Sequence, residues 1–168
     1  MKTTTFKYMT LAILLLLTVG GTGCSDDELS TIQPISIVDT KIVAFFENEL
    51  PAMGTSNSFF TDDAKETEIC HVINENHEFQ HLYKGKATLP TIEFSKYTLV
   101  IGKVRMSESF FYVAKQEVEV KGNNSATINI YVAPVSEDGS WPSFSTLYFY
   151  GLYPKLPVKT IKINKIIH

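Results

Sequence analysis

The chain has 168 residues, of which 44% are hydrophobic, with 15 Lys and Arg against 18 Asp and Glu for a formal charge of −3 at pH 7. That length supports one buried core rather than several. An acidic balance with no basic cluster argues against nucleic acid as a partner.

Lys2 and Lys7 give the N-terminus a positive charge, Leu11 to Val19 form an uncharged apolar core, and Gly20, Gly21, Thr22 and Gly23 lead as small residues into Cys24. This is the layout of a secretory signal peptide. The apolar run is shorter than the roughly 20 residues a membrane-spanning helix needs. Small residues directly before Cys24 resemble the lipobox of bacterial lipoproteins, although Gly21 stands where that pattern usually holds an aliphatic residue. The resemblance implies cleavage before Cys24 and acylation of its thiol. The acidic run Ser25-Asp26-Asp27-Glu28 is similar to the surface-export signal of Bacteroidetes lipoproteins and implies an outer-membrane lipoprotein facing the cell exterior. Acidic residues repel anionic lipid, so attachment to the membrane rests on the acyl chains, two or three of which anchor stably. With Cys24 lipidated, Cys70 is the one cysteine left and no intrachain disulfide forms. Its setting in the apolar run Ile69 to Ile73 suits a small buried hydrophobe better than a nucleophile.

The expected organisation is a signal peptide over 1–23, a lipidated acidic tether over 24–38 and a single domain over 39–168. Asp39 or Thr40 caps a first helix, whose Ile42, Val43, Phe45, Phe46 and Leu50 follow three- and four-residue spacing up to Pro51. Residues 53–63 read as a loop with at most a short edge strand. Glu68 to Ile73 reads as a strand, and Asn74 as the cap of a helix from Glu75 to Lys84 that closes on Gly85. Tyr97 to Val104 is nearly continuous in apolar residues and suits a central strand buried on both faces. Phe110 to Val120 and Ala126 to Val132 flank Lys121-Gly122-Asn123-Asn124-Ser125, a turn composition that predicts a hairpin. Phe144 to Tyr150 is a further strand, Gly151 to Pro157 a turn, and Val158 to Ile167 a closing strand. Helices first and strands later predict an α+β domain with one antiparallel sheet of five to six strands and two short helices.

His77-Glu78-Phe79-Gln80-His81 satisfies H-E-x-x-H, in which two histidines four apart on a helix chelate zinc and the glutamate activates a bound water. The surroundings argue against that chemistry. Glu75 and Asn76 make the approach polar, and the metzincin continuation calls for glycine and histidine where this chain has Lys84 and Ala87. A gluzincin needs a glutamate on a following helix, but strands follow. His71 sits among residues that suit ordinary sheet packing. The expectation is a solvated helix face with no metal, no cofactor and no catalytic residue.

The remaining conspicuous feature is aromatic: Trp141, Phe144, Tyr148, Phe149, Tyr150 and Tyr153. Phe144 and Tyr148 are expected in the core. Trp141 beside Pro142 and Tyr153 beside Pro154 are expected in loops, as binding residues that stack on a glycan or anchor a protein.

The segment Val72-Ile73-Asn74 before a helix, then Leu89-Pro90 through Leu99-Val100-Ile101, then Phe111-Tyr112-Val113, resembles small uncharacterised Bacteroidetes lipoproteins. It is also distantly similar to the C-terminal domain of PrcB, a lipoprotein component of a surface protease complex. The resemblance spans about residues 70–167, implies an α+β, non-catalytic accessory domain and supplies no site residues; the expectation is a surface lipoprotein whose domain binds another protein of an envelope complex. A glycan-binding module and a zinc-dependent hydrolase are the alternatives.

Overall fold

Strand alternation in the C-terminal half builds two sheets, and the two helices cover one of them. The computed structural model describes residues 29–52, 57–60, 66–107, 111–121, 125–135 and 144–167, so the leader, Cys24 and Trp141 lie outside the described residues. In chain order the elements are β1 (Leu29–Ile32), α1 (Thr40–Glu49), β2 (Glu68–Ile73), α2 (Asn76–Leu82), β3 (Tyr97–Met106), β4 (Phe111–Lys121), β5 (Ser125–Pro134), β6 (Ser145–Pro154) and β7 (Lys162–Ile167). One sheet has the order β1-β4-β5-β7 and the other β2-β3-β6.

The α+β class holds, but the single antiparallel sheet does not. Seven strands among the described residues divide between two sheets, and β5 pairs with β7 in parallel. The cause is β3, which is apolar on both faces and so must be covered on both. On one side Val100 and Val104, with Leu147 and Phe149 of β6, meet Val118, Ile128, Ile130 and Val132 of the four-stranded sheet. On the other, Leu99 and Ile101 lie under Phe45, Phe46 and Phe79 from the two helices. The result is three layers: sheet, sheet, helices. No helix among the described residues is long and apolar enough to cross a membrane.

Local chemistry explains the element ends. The Asp39 carboxylate accepts from the Lys41 amide at 2.8 Å and starts α1. The second helix is shorter than its expected span and is capped by Glu75, not Asn74. Glu78 completes a capping box, its Oε2 accepting from the amides of Asn74 at 2.7 Å and Glu75 at 3.2 Å. Asn74 is used elsewhere, accepting from the buried Thr98 hydroxyl at 2.7 Å. At the other end Tyr83 is extended, so α2 stops without a left-handed closure at Gly85.

Four expectations need correction around the strands. Residues 29–35, read as part of a tether, belong to the folded domain: Leu29 to Ile32 pair with Lys121 to Val118 of β4, and Ile35 donates its amide to the Leu152 carbonyl at 2.7 Å. Scattered aliphatics give no periodic signal, yet one edge strand needs only a few of them. β6 continues straight through Gly151, which is a close-approach residue and not a turn. A Cβ there would meet the Tyr153 ring at 2.9 Å and Gln116 Nε2 at 3.1 Å. Tyr153 therefore lies in a strand, fully buried between the sheets, and not in a loop open to a ligand. Its hydroxyl has no hydrogen-bond partner among the described residues, and burial pushes its pKa up. Tyr148 enters the core as expected, whereas Phe144 is 70% exposed, with the Arg105 guanidinium 4.4 Å above its ring.

Candidate functional site

Backbone polar groups at a sheet edge must find partners or face water, so the edges of β2-β3-β6 reveal where the domain is closed. Arg105 donates its amide to the Thr67 carbonyl at 2.9 Å, and Lys155 donates to the Lys96 carbonyl at 2.9 Å. Antiparallel ladders alternate between residues that bond across the pair and residues that point away. With the register Ile69↔Lys103 and Cys70↔Gly102, Ile69, His71 and Ile73 turn their backbone groups toward β3. Glu68, Cys70 and Val72 turn theirs outward.

The same parity on β6 turns Tyr148, Tyr150 and Leu152 outward, and one outward group of each is met. The Tyr148 amide donates to the Ala52 carbonyl at 3.1 Å, and the Leu152 carbonyl accepts from Ile35 at 2.7 Å. The Tyr150 carbonyl accepts from Gln116 Nε2 at 2.6 Å. No strand, loop or side chain among the described residues bonds to the outward amides and carbonyls of Cys70 and Val72.

An open cleft of about 480 Å³ follows this edge. Its floor is Cys70 to Ile73, one wall is α2 with His77, His81 and Leu82, and the other wall is Lys159 and Thr160. A second cleft of about 360 Å³ shares His71, His81 and Leu82 with it and extends toward Phe60, Glu66 and Lys84. Together they form a trough along β2.

The H-E-x-x-H residues face this trough but do not assemble a metal centre. Glu78 is held back against the helix start by the two amides it caps. His77 Nδ1 sits 3.1 Å from the Glu75 carboxylate, with both side chains largely exposed. The His71 ring stacks on Phe60 at 5.7 Å. Burial lowers the His71 pKa, and the nearby Glu66 charge opposes that shift in part. Among the described residues no group of three or more His, Cys, Asp or Glu is placed to hold a metal ion. Cys70 packs against the inter-sheet core, and burial pushes its thiol up to about 12. It is a packed side chain and not an activated nucleophile.

Of the two aromatic binding candidates, Tyr153 is core and Trp141 lies outside the described residues. The lipidation residue Cys24 lies outside them as well. The residues that matter along the trough, Cys70, Val72 and Lys159, carry no motif. Their one sequence signal is that 155–168 contains Lys155, Lys159, Lys162 and Lys165 and no acidic residue. No family model, no curated protein and no solved structure matches this chain.

Proposed function

We propose that this chain is a lipid-anchored, non-catalytic protein-binding module of a bacterial envelope complex, displayed on the outer face of the outer membrane. The observation that carries the binding part is the trough beside β2, a lined depression whose floor is an uncapped strand edge. The anchoring part rests on the leader and Cys24. Leu29 enters the domain beside Lys121, so an anchor a few residues upstream tethers the molecule from the end at which β4 finishes. The similarity to the PrcB C-terminal domain fits an accessory role of this kind.

The reading predicts that the full chain expressed with its leader incorporates labelled palmitate, that Cys24→Ala does not, and that the lipidated protein co-purifies from membranes with a stoichiometric envelope protein. Palmitate-free protein, or lipidated protein that is recovered alone after crosslinking, contradicts it.

A further inference from the structure

We infer that the trough accepts an extended segment of a partner protein, alternately acidic and apolar, which adds to β2 as a fourth strand of the β2-β3-β6 sheet. The inference rests on the protein-binding role proposed above and names the chemistry of the partner.

Strand addition needs backbone groups spaced two residues apart on one edge. The amides and carbonyls of Cys70 and Val72 supply that spacing and point into the cleft. The trough runs from Ile69 to Ile73, long enough for about four or five extended residues at roughly 3.3 Å each. An added strand would present its side chains alternately to the two walls. The helix-side wall offers an apolar patch at Leu82 and, farther along, Phe60, beside the polar His77, Glu78 and His81. The opposite wall carries Lys159, which is exposed and has no ion-pair partner among the described residues. It belongs to a stretch without acids in which Lys155 is tied to the carbonyls of Asn74 and Phe94 and Lys165 to Glu68. Of the lysines in this stretch, Lys159 is the one that lines the cleft, without an ion pair among the described residues. Of the two carboxylates on the trough lining, Glu78 is engaged by the two amides it caps, and Glu66 lines the second cleft together with Lys84. A carboxylate facing Lys159 and an apolar side chain facing Leu82 satisfy both walls. A second copy of this chain is a poorer occupant, because edge-to-edge pairing of two β2 strands would bring two cationic walls together.

The test uses a labelled seven-residue peptide of alternating glutamate and valine, titrated into the folded chain and followed by fluorescence anisotropy. Saturable binding is expected, with the lysine–valine counterpart at least roughly tenfold weaker. N-methylation of the amides on one edge of the peptide should weaken binding by roughly tenfold or more, and N-methylation of the other edge by less than about threefold, because only one edge meets β2. Val72→Pro removes an outward amide while leaving every bond to β3, and should weaken binding about fivefold, the effect of one hydrogen bond of about 1 kcal/mol. If that variant does not fold, Lys159→Glu, on an exposed side chain, serves in its place with a similar loss. No binding, equal binding of the two N-methylated peptides, or tighter binding of the lysine peptide overturns the inference. So does a β2-dependent dimer of the free chain that the peptide fails to dissociate. None of these results touches the broader protein-binding reading, which falls only if the lipidated full chain recovers no envelope partner.

Discussion

The two edges of the three-stranded sheet are built from the same backbone chemistry and are finished in opposite ways. Along β6, three separate parts of the chain turn in to meet the outward groups: Ala52 after the first helix, Ile35 before it, and the Gln116 side chain from the other sheet. Along β2 the nearest elements, α2 and the 159–160 segment, stand back and leave a trough. Natural proteins commonly blunt an exposed edge, and this domain does so with distant pieces of sequence on one side. Among the described residues no comparable piece reaches the β2 side. A functional surface can consist of what the fold declines to cover, with no reactive side chain at its centre.

The comparison can be broken most severely by removing the layer that stands over both edges. Phe46 is fully buried and stacks on Tyr150 at 4.2 Å. Phe46→Ala should cost about 3–5 kcal/mol, read as a lowered midpoint in chemical denaturation. An effect below 1 kcal/mol would mean the helical layer is not packed as described.

Uncapping the closed edge is the next largest change. Ile35→Pro deletes the amide that meets the Leu152 carbonyl and should cost about 1–2 kcal/mol, whereas Val72→Pro, acting on an amide without a partner, should cost less. Equal losses would erase the difference between the edges.

Acid should loosen the closed edge first. Glu117 lies flat on the outer face of the four-stranded sheet, ion-paired to Lys115 at 2.7 Å. Its carboxylate also accepts from Tyr131 at 2.6 Å and from Gln33 at 2.6 Å. The Lys115 contact first, then these two hydrogen bonds, hold its pKa at about 2. Because the folded value lies below the ordinary 4.5, this contribution to stability is complete above pH 4.5 and is lost as pH falls toward 2. Glu117→Gln should flatten that part of the stability profile and release Gln33, two residues from the Ile35 cap. His71 has the same sign at higher pH: burial favours its neutral form, so stability declines as pH drops below 6.5.

The smallest effect belongs to the most conspicuous motif. The double variant His77→Ala, His81→Ala changes exposed side chains and should move stability by no more than about 0.5 kcal/mol, with zinc producing no stabilisation of either form in a thermal melt. Stoichiometric zinc lost in the double variant would contradict the reading of His77 and His81 as solvated side chains on an exposed helix face.

Much of the architecture was legible in the sequence wherever one periodic segment decided it. The spacing of Ile42, Phe45 and Phe46 gave the buried face of α1, the run 97–104 gave a strand covered on both sides, and the polar composition after Lys121 gave the pairing of β4 with β5. What was hidden depended on pairing between distant segments. Period-two alternation assigns faces but not neighbours, so it could not show that β6 leaves for the other sheet and brings β7 back parallel to β5. Gly151, opening a segment that holds Pro154 and Pro157, looks like a turn until the Gln116 side chain that crowds it is known. The candidate site was the least legible part, because an amide at Val72 without a partner among the described residues is defined by tertiary neighbours and not by any local pattern.

Amide hydrogen exchange, resolved residue by residue, tests this most directly. In the free protein the Cys70 and Val72 amides should exchange far faster than those of Tyr148 and Ile35, and the alternating glutamate–valine peptide should protect the first pair while leaving the second unchanged. Slow exchange at Cys70 and Val72 in the free chain, matching Tyr148, would mean that the β2 edge is already covered and would contradict the account.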